Sequence, residues 1–209
     1  MPLKQGESRR DDIIRAGAEL IYARGYTATG LQDILDRASV PKGSFYFYFR
    51  SKEDFGIEII NHFASLVGGM FSGILLDGAV TPMVRLEKLF TFFESYYRKK
   101  GYTGGCPIGN LSLEMADVSE KFRKRLEAVI DEMVGHIERC LKDGVSDGSF
   151  TREIDTAGTA RFIFHGFEGA LLHMKVTKSI GPLRAYKNQI FDYLRRLGRD
   201  AGKKSGGSE

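Results

Sequence analysis

Five consecutive aromatic residues, Phe45–Phe49, lie within the segment Ser39–Lys52 and constrain the fold more than any other stretch of this chain. Taken alone, such a run favours a strand, because aromatic side chains suit a pleated surface. Its neighbours argue for a helix instead: Pro41 suits the first position of a helix, and Gly43 would weaken a central strand. The segment therefore predicts a short helix.

On that helix, residues four apart share a face. Phe45 and Phe49 would enter a core, whereas Lys42 and Tyr46 would lie together on the opposite side. The second side offers an ammonium and a phenol to solvent. A short helix of this kind suits a groove lined by phosphates.

A second predicted helix comes just before the aromatic run. Thr29 is placed to cap it, and Ser39–Pro41 leaves only a tight turn before the next helix. Helix, tight turn and short helix together predict a helix-turn-helix. The apolar spacing that predicts the second helix is i, i+3, i+4, i+7, at Leu31, Ile34, Leu35 and Ala38.

These residues resemble the N-terminal domain of the TetR family of bacterial transcriptional regulators. The resemblance runs from Gly25-Tyr26 through the aromatic helix to Ser51-Lys52-Glu53. It implies phosphate contacts from Tyr46, Tyr48 and Lys52, and the full DNA-binding set that it predicts is Thr29, Gln32, Lys42, Gly43, Ser44, Tyr46, Phe47, Tyr48 and Lys52. Phe47 departs from the family pattern because it cannot hydrogen-bond a base, although it can pack on a thymine methyl.

Composition permits this function without demonstrating it. The chain has 209 residues, 42% of them hydrophobic, a net charge of +4 and a pI near 9.0, which many soluble enzymes share. No signal peptide or apolar run of membrane-spanning length is evident, so a cytoplasmic protein is expected. The two cysteines give neither a disulfide framework nor a zinc spacing, and the pair His136 and Cys140 lacks further ligands. We therefore expect no cofactor and no metal.

Helical periodicity continues to the C-terminus and predicts an all-α protein of about nine helices. Residues 1–52 are predicted to form a three-helix DNA-binding head, after a loose arm over 1–7 and a cap at Ser8. Residues 53–199 are predicted to form a helical effector-binding and dimerisation domain. Residues 200–209, rich in Gly, Ser and charge, are predicted to be a disordered tail.

The last two helices are candidates for a homodimer interface. Gly166, Gly169 and Ala170 would let helices approach closely, and Leu183–Leu197 has near-heptad spacing. Packing within one chain is the alternative. The resemblance favours the dimer, because TetR-family proteins pair through their two C-terminal helices, and two heads can then meet half-sites one DNA turn apart.

Cys106 is the second unusual feature, because it follows two glycines at a predicted helix start. Such a position stabilises a thiolate, which adds to electrophiles or oxidises, whereas the alternative is a small apolar residue under a loop. The run Gly105-Cys106-Pro107-Ile108-Gly109-Asn110-Leu111 resembles a TetR branch with repressors that respond to electrophiles or to acrylate-like acids. In its electrophile-sensing members a cysteine here is the sensor. Lys175 is a possible partner.

Aromatic residues of the C-terminal half are candidates for an apolar effector pocket, although a stripe at helical spacing is more often plain core. His165 and His173 are predicted to be core histidines, with polar groups of a pocket as the alternative. The sequence thus predicts a dimeric repressor released by a small-molecule or thiol-reactive effector. An activator, an effector-free DNA-binding adaptor and, remotely, a cysteine-dependent enzyme are the alternatives. The candidate pocket residues are Phe93, Tyr96, Tyr97, Met115, Phe164 and Phe167.

Overall fold

The computed structural model describes residues 9–204, and side chains through residue 197. Over these residues the backbone is entirely helical apart from its connections, which confirms the predicted all-α class. The helices are α1 (Arg9–Arg24), α2 (Leu31–Ala38), α3 (Lys42–Tyr48), α4 (Lys52–Leu75), α5 (Pro82–Lys99), α6 (Pro107–Met115), α7 (Glu120–Ser146), α8 (Thr156–Thr177) and α9 (Gly181–Lys204).

The helices form two compact units. The head unit comprises the residues up to 66 together with 107–129, and the body unit comprises 67–106 and the residues from 130 onward. Helix α6 and the first part of α7 therefore belong with the helix-turn-helix. The predicted division at residue 52 concerns the roles of the segments and stays a prediction.

The core of the head unit depends on the aromatic run. Phe45 is fully buried and Phe49 nearly so, and their ring centroids lie 5.4 and 5.0 Å from that of Phe55, edge to face. Lys42 and Tyr46 are exposed on the other side of α3. Helical spacing thus predicted both faces correctly, and burial of the phenylalanines outweighs the local strand preference of the run.

Thr29 does not cap α2, so that prediction was wrong. The N-cap is Gly30, whose N–H donates to the Asp33 carboxylate at 3.1 Å. The Thr29 hydroxyl is buried and donates to the Gly25 carbonyl at 2.7 Å. Gly25 follows α1 with a left-handed backbone (φ +93°). Because the Thr29 hydroxyl is bonded to the Gly25 carbonyl, it does not cap α2.

Arg85 anchors the turn between α4 and α5 in the body unit. Its guanidinium is buried and donates to the Val80 carbonyl at 2.9 Å, the Leu75 carbonyl at 3.3 Å and the Asp143 carboxylate at 2.6 Å. Cys140 is fully buried nearby, its thiol 3.5 Å from the Pro82 carbonyl. Burial raises the pKa of Cys140 to about 12. The predicted core role of Cys140 is confirmed.

The chain ends differ in part from prediction. The predicted arm over 1–7 and the cap at Ser8 lie outside the described residues. Helix α9 continues to Lys204, past the predicted start of the tail at residue 200, because Gly198 lowers helix propensity without ending a helix. Residues 205–209 lie outside the described part of the chain.

Helix α4 is long and apolar enough to cross a membrane, judged by length and composition only. The sequence predicted no such segment. In this structure the helix places Phe55 and Ile59 in the core of the head unit and Phe71 and Leu75 in the core of the body unit. A core helix of a folded domain satisfies the same criteria of length and composition.

Candidate nucleic-acid interface and effector site

The outer side of α3 presents the predicted DNA-contacting residues. Phe47 is 81% exposed and Tyr46 54% exposed, beside exposed Lys42 and Gly43. No atom lies within 4 Å of the position that a Cβ at Gly43 would occupy, so the backbone there is open to a partner. We call the surface formed by Lys42, Gly43, Tyr46 and Phe47 the recognition face.

The remaining predicted DNA-binding residues lie beside or beneath the recognition face. Ser44 and Tyr48 are half-buried on α3, and Gln32 is exposed on α2, where its amide donates to Asp36 at 2.7 Å. Thr29 is fully buried, so its side chain is beneath this surface and not on it. Lys52 has a partner within the chain, because its ammonium donates to the Tyr26 carbonyl at 3.0 Å. Its phosphate contact stays a prediction.

The loop between α1 and α2 is held by a carboxylate from α6. Glu114 accepts the backbone N–H of Tyr26 at 2.8 Å and that of Thr27 at 2.5 Å. Burial alone would raise the pKa of Glu114, but these hydrogen bonds and the Lys52 charge lower it overall. The Glu114 carboxylate is therefore held ionised against two N–H donors. Glu114 follows Cys106 by eight positions in the sequence, and no role was predicted for it.

Cys106 lies at the end of the loop before α6, buried at 8% exposure. Its thiol hydrogen-bonds to the carboxyl group of Glu168, on α8. Burial raises the pKa of Glu168, although this hydrogen bond opposes the rise. The Oε1 atom of Glu168 is fully buried and, within the described part of the chain, has no hydrogen-bond partner.

Glu168 is not among the site residues predicted from the sequence. It follows Phe164 by four positions and precedes Leu171 by three, so it falls on the apolar stripe of α8. A carboxylate on an otherwise apolar stripe is the sequence feature that could have identified Glu168 as a candidate. Lys175, the partner suggested by the sequence, is half-buried about two turns further along α8, and its pairing with Cys106 stays a prediction.

The predicted pocket residues lie in both units. Phe93, Phe164 and Phe167 line a small apolar cavity in the body unit, with Tyr97 buried and stacked on Phe93 at 6.1 Å between ring centroids. Tyr96 is at the surface, 36% exposed. Met115 is buried in the head unit.

The side chains around that cavity leave little empty space. Its volume is about 10 Å³, roughly what a single water molecule needs. An effector that enters here must displace aromatic side chains. The wall of this cavity consists of Phe71, Leu89, Phe90, Phe93, Ile137, Ile163, Phe164 and Phe167.

Helix α8 carries an exposed apolar stripe. Phe162, Leu172 and Val176 are 56%, 58% and 74% exposed. His165 and His173 are exposed, so their prediction as core histidines was wrong; their spacing puts them on the outward side of the helix. We call this surface, 162–176 on its outward side, the α8 stripe.

The small residues of α8 are divided between two uses. A Cβ at Gly166 would overlap the Tyr186 ring of α9, whereas nothing lies within 4 Å of one at Gly169. Gly166 therefore serves packing within the chain, and the Tyr186 hydroxyl donates to the Ile163 carbonyl at 2.7 Å. Gly169 lies open within the α8 stripe.

No group of three or more His, Cys, Asp or Glu side chains that could hold a metal ion occurs among the described residues.

Comparison with known proteins covers both parts of the chain. Residues 13–59 match the family model described as bacterial regulatory proteins, tetR family, and residues 82–190 match that described as tetracyclin repressor-like, C-terminal domain. The chain is 32% identical over 185 residues to the HTH-type transcriptional repressor DhaR of Mycobacterium sp. (strain GP1), covering 88% of this chain and 91% of that protein.

Two further relatives agree with this result. The transcriptional regulator AcuR of Cereibacter sphaeroides is 32% identical over 174 residues, covering 83% of this chain and 80% of AcuR. The crystal structure of the reduced form of Escherichia coli NemR superposes with a TM-score of 0.82 at 26% identity, over 91% of this chain and 97% of that one. The chain therefore belongs to the TetR family, whose members are DNA-binding transcriptional regulators and not enzymes.

Proposed function

We propose that this chain is a homodimeric transcriptional repressor that binds operator DNA through the recognition face and is released by a small-molecule or thiol-reactive effector. The observation that carries the proposal is the division of α3, with Phe45 buried and Tyr46 and Phe47 exposed. Contiguous exposed apolar side chains on a protein surface mark sites that bind a partner. Regulators of this family are soluble and typically cytoplasmic, and its named relatives include repressors.

The α8 stripe supports the proposed dimer. TetR regulators typically dimerise, and an exposed apolar helix face with an open glycine suits a second copy of the same helix. On α9, Tyr193 is 41% exposed and its ring centroid lies 6.0 Å from that of Phe162. The two C-terminal helices thus offer one continuous aromatic and aliphatic surface for pairing.

The pair Cys106 and Glu168 supports the proposed thiol trigger. A conjugated carbonyl compound would form a bond between the Cys106 sulfur and its β-carbon, while the alkene electron pair moves toward the carbonyl. Glu168 would accept the thiol proton and return it to the α-carbon, so that atoms and charge balance. A neutral electrophile suits this site better than an unsaturated acid, because a second carboxylate would lie beside Glu168.

Release from DNA requires that the effector favour the state that does not bind DNA. The small apolar cavity in the body unit supplies a physical route. At about 10 Å³ it cannot admit an effector without moving the aromatic side chains around it, and closely packed interiors transmit such displacement. A binding event in the body unit would then shift α4, the helix that continues from the head.

Removing a charge or hydroxyl from the recognition face tests the DNA-binding part of the proposal. Tyr46→Phe is expected to weaken binding to all duplexes by a similar factor, whereas Lys42→Ala also relaxes sequence preference, by about 1–3 kcal/mol at one base pair. Gel shifts with DNA from upstream of the chain's own gene, against scrambled duplex, measure both effects.

The matched control is Glu19→Gln, which alters an exposed ion pair with Arg37 on α1 and α2 and should leave affinity unchanged. Parental affinity in both α3 variants would show that the recognition face is assigned wrongly. A reporter strain lacking the gene separates the modes of regulation: output rises for a repressor and falls for an activator.

A further inference from the structure

We infer that Glu114 is a positioning residue for DNA binding: from α6 it fixes the loop between α1 and α2 and so sets the head in its binding conformation. Its two carboxylate oxygens accept different N–H groups, Oε2 that of Tyr26 and Oε1 that of Thr27. These bonds join residues 88 and 87 positions apart in the chain. We call this arrangement the Glu114 clasp.

The loop is shaped to receive that carboxylate. Gly25 has a left-handed backbone, and a Cβ at this position would lie 3.1 Å from a Glu114 carboxylate oxygen. A side chain there would be strained by its backbone and crowded by Glu114. Glycine therefore suits this position for two reasons: it adopts the left-handed backbone without strain, and it leaves room for the Glu114 carboxylate of α6.

A second group completes the clasp from the other side. The Lys52 ammonium donates to the Tyr26 carbonyl at 3.0 Å and lies 4.6 Å from the centroid of the Tyr26 ring. Glu114 thus binds the N–H of Tyr26, and Lys52 contacts its carbonyl and its ring. Since Lys52 is also the first residue of α4, the clasp ties the starts of α2 and α4 to α6.

The side chain of Tyr26 is also held in place, by packing of its ring. It meets Phe122 of α7 edge to face, with centroids 4.9 Å apart, and both rings occupy the space that a side chain at Gly56 would need. Aromatic contacts of this geometry stabilise a fold beyond the burial of their surface. The loop therefore has one defined position, and helix α2, which begins at Leu31, follows from it.

The position of this loop matters for DNA binding, because α2 and α3 must together fit a groove of the DNA. A head whose α1–α2 loop is free to move retains its fold but samples orientations in which the recognition face does not fit. Chain connectivity adds a route for regulation: Cys106 is bonded directly to Pro107, the first residue of α6. A shift of α6 along its axis moves Glu114 against the loop.

The test replaces Glu114 while the head stays folded. Glu114→Gln puts an amide NH₂ against one of the two N–H donors, and Glu114→Asp keeps the charge but shortens the reach. Both are expected to lower affinity about tenfold for the duplex that the wild-type chain selects from a random-sequence pool. Asp54→Asn is the matched control: it removes a carboxylate that pairs with Lys121 in the same unit and leaves the loop alone.

Two readouts distinguish positioning from simple stability. Gel shifts are run at a temperature where circular dichroism shows each variant fully folded, and amide hydrogen exchange is followed for Tyr26 and Thr27. Faster exchange at these two amides, with α3 amides unchanged and affinity lowered, supports the clasp. Wild-type affinity in folded Glu114→Gln, wild-type exchange at the two amides, or full rescue of affinity by Glu114→Asp would overturn it.

Discussion

Phe45→Ala is expected to lower the free energy of unfolding of the head by about 3–5 kcal/mol and thereby to abolish DNA binding. Phe45 is fully buried, and its ring contacts those of both Phe49 and Phe55. Truncation removes those contacts and leaves a cavity beneath the recognition face that rigid helices cannot fill. Urea unfolding followed by circular dichroism measures the loss.

Phe47→Ala is the matched comparison, two positions away on the same helix. Phe47 is 81% exposed, so its truncation should change stability by no more than about 0.5 kcal/mol while reducing affinity for DNA. The pair separates folding from recognition within one turn of α3. Equal loss of stability in both variants would mean that α3 packs in another orientation.

Val176→Asp is expected to give a monomer that binds operator about 100-fold or more weakly. Val176 is 74% exposed on the α8 stripe, and a carboxylate buried in a symmetric interface meets its own copy. Because the two heads act together, separating the protomers removes the gain from simultaneous binding, which typically amounts to 10²–10⁴. Sedimentation equilibrium gives the oligomeric state, and gel shift gives the affinity.

Leu113→Asp serves as the control for Val176→Asp. Leu113 is 82% exposed on α6, so a carboxylate there changes the surface to a similar degree without touching α8. It should remain dimeric. A dimeric Val176→Asp protein with unchanged affinity would place the interface elsewhere.

Local periodicity explains why much of the fold was predictable. The four-residue spacing of Phe45 and Phe49 fixes their shared face whatever surrounds them, and Cys140 fell on a regular apolar stripe. Thr29 shows the limit of that reasoning. Its position suits a cap, but a carbonyl four residues earlier, at Gly25, took its hydroxyl.

The residues of the candidate site that the sequence did not predict all act through contacts between residues distant in sequence. Glu114 reaches Tyr26 across 88 positions, and Glu168 on α8 hydrogen-bonds to the thiol of Cys106 in the loop before α6. No periodicity within a single segment encodes either contact. The exposure of His165 and His173 was missed for a related reason: α8 is apolar on more than one face, so its pattern does not tell the packed side from the pairing side.

Titration of the operator complex with N-ethylmaleimide tests most directly whether modification of Cys106 releases the proposed repressor from DNA. Wild type, Cys106→Ser and Cys140→Ala are compared by gel shift, with mass spectrometry to locate the adduct. Cys140 is fully buried and its pKa is raised to about 12, so it should not react. We predict release of wild type and Cys140→Ala on modification of Cys106, with Cys106→Ser remaining bound. Retention of wild type with Cys106 fully modified, or equal release of Cys106→Ser, would contradict a switch at this cysteine.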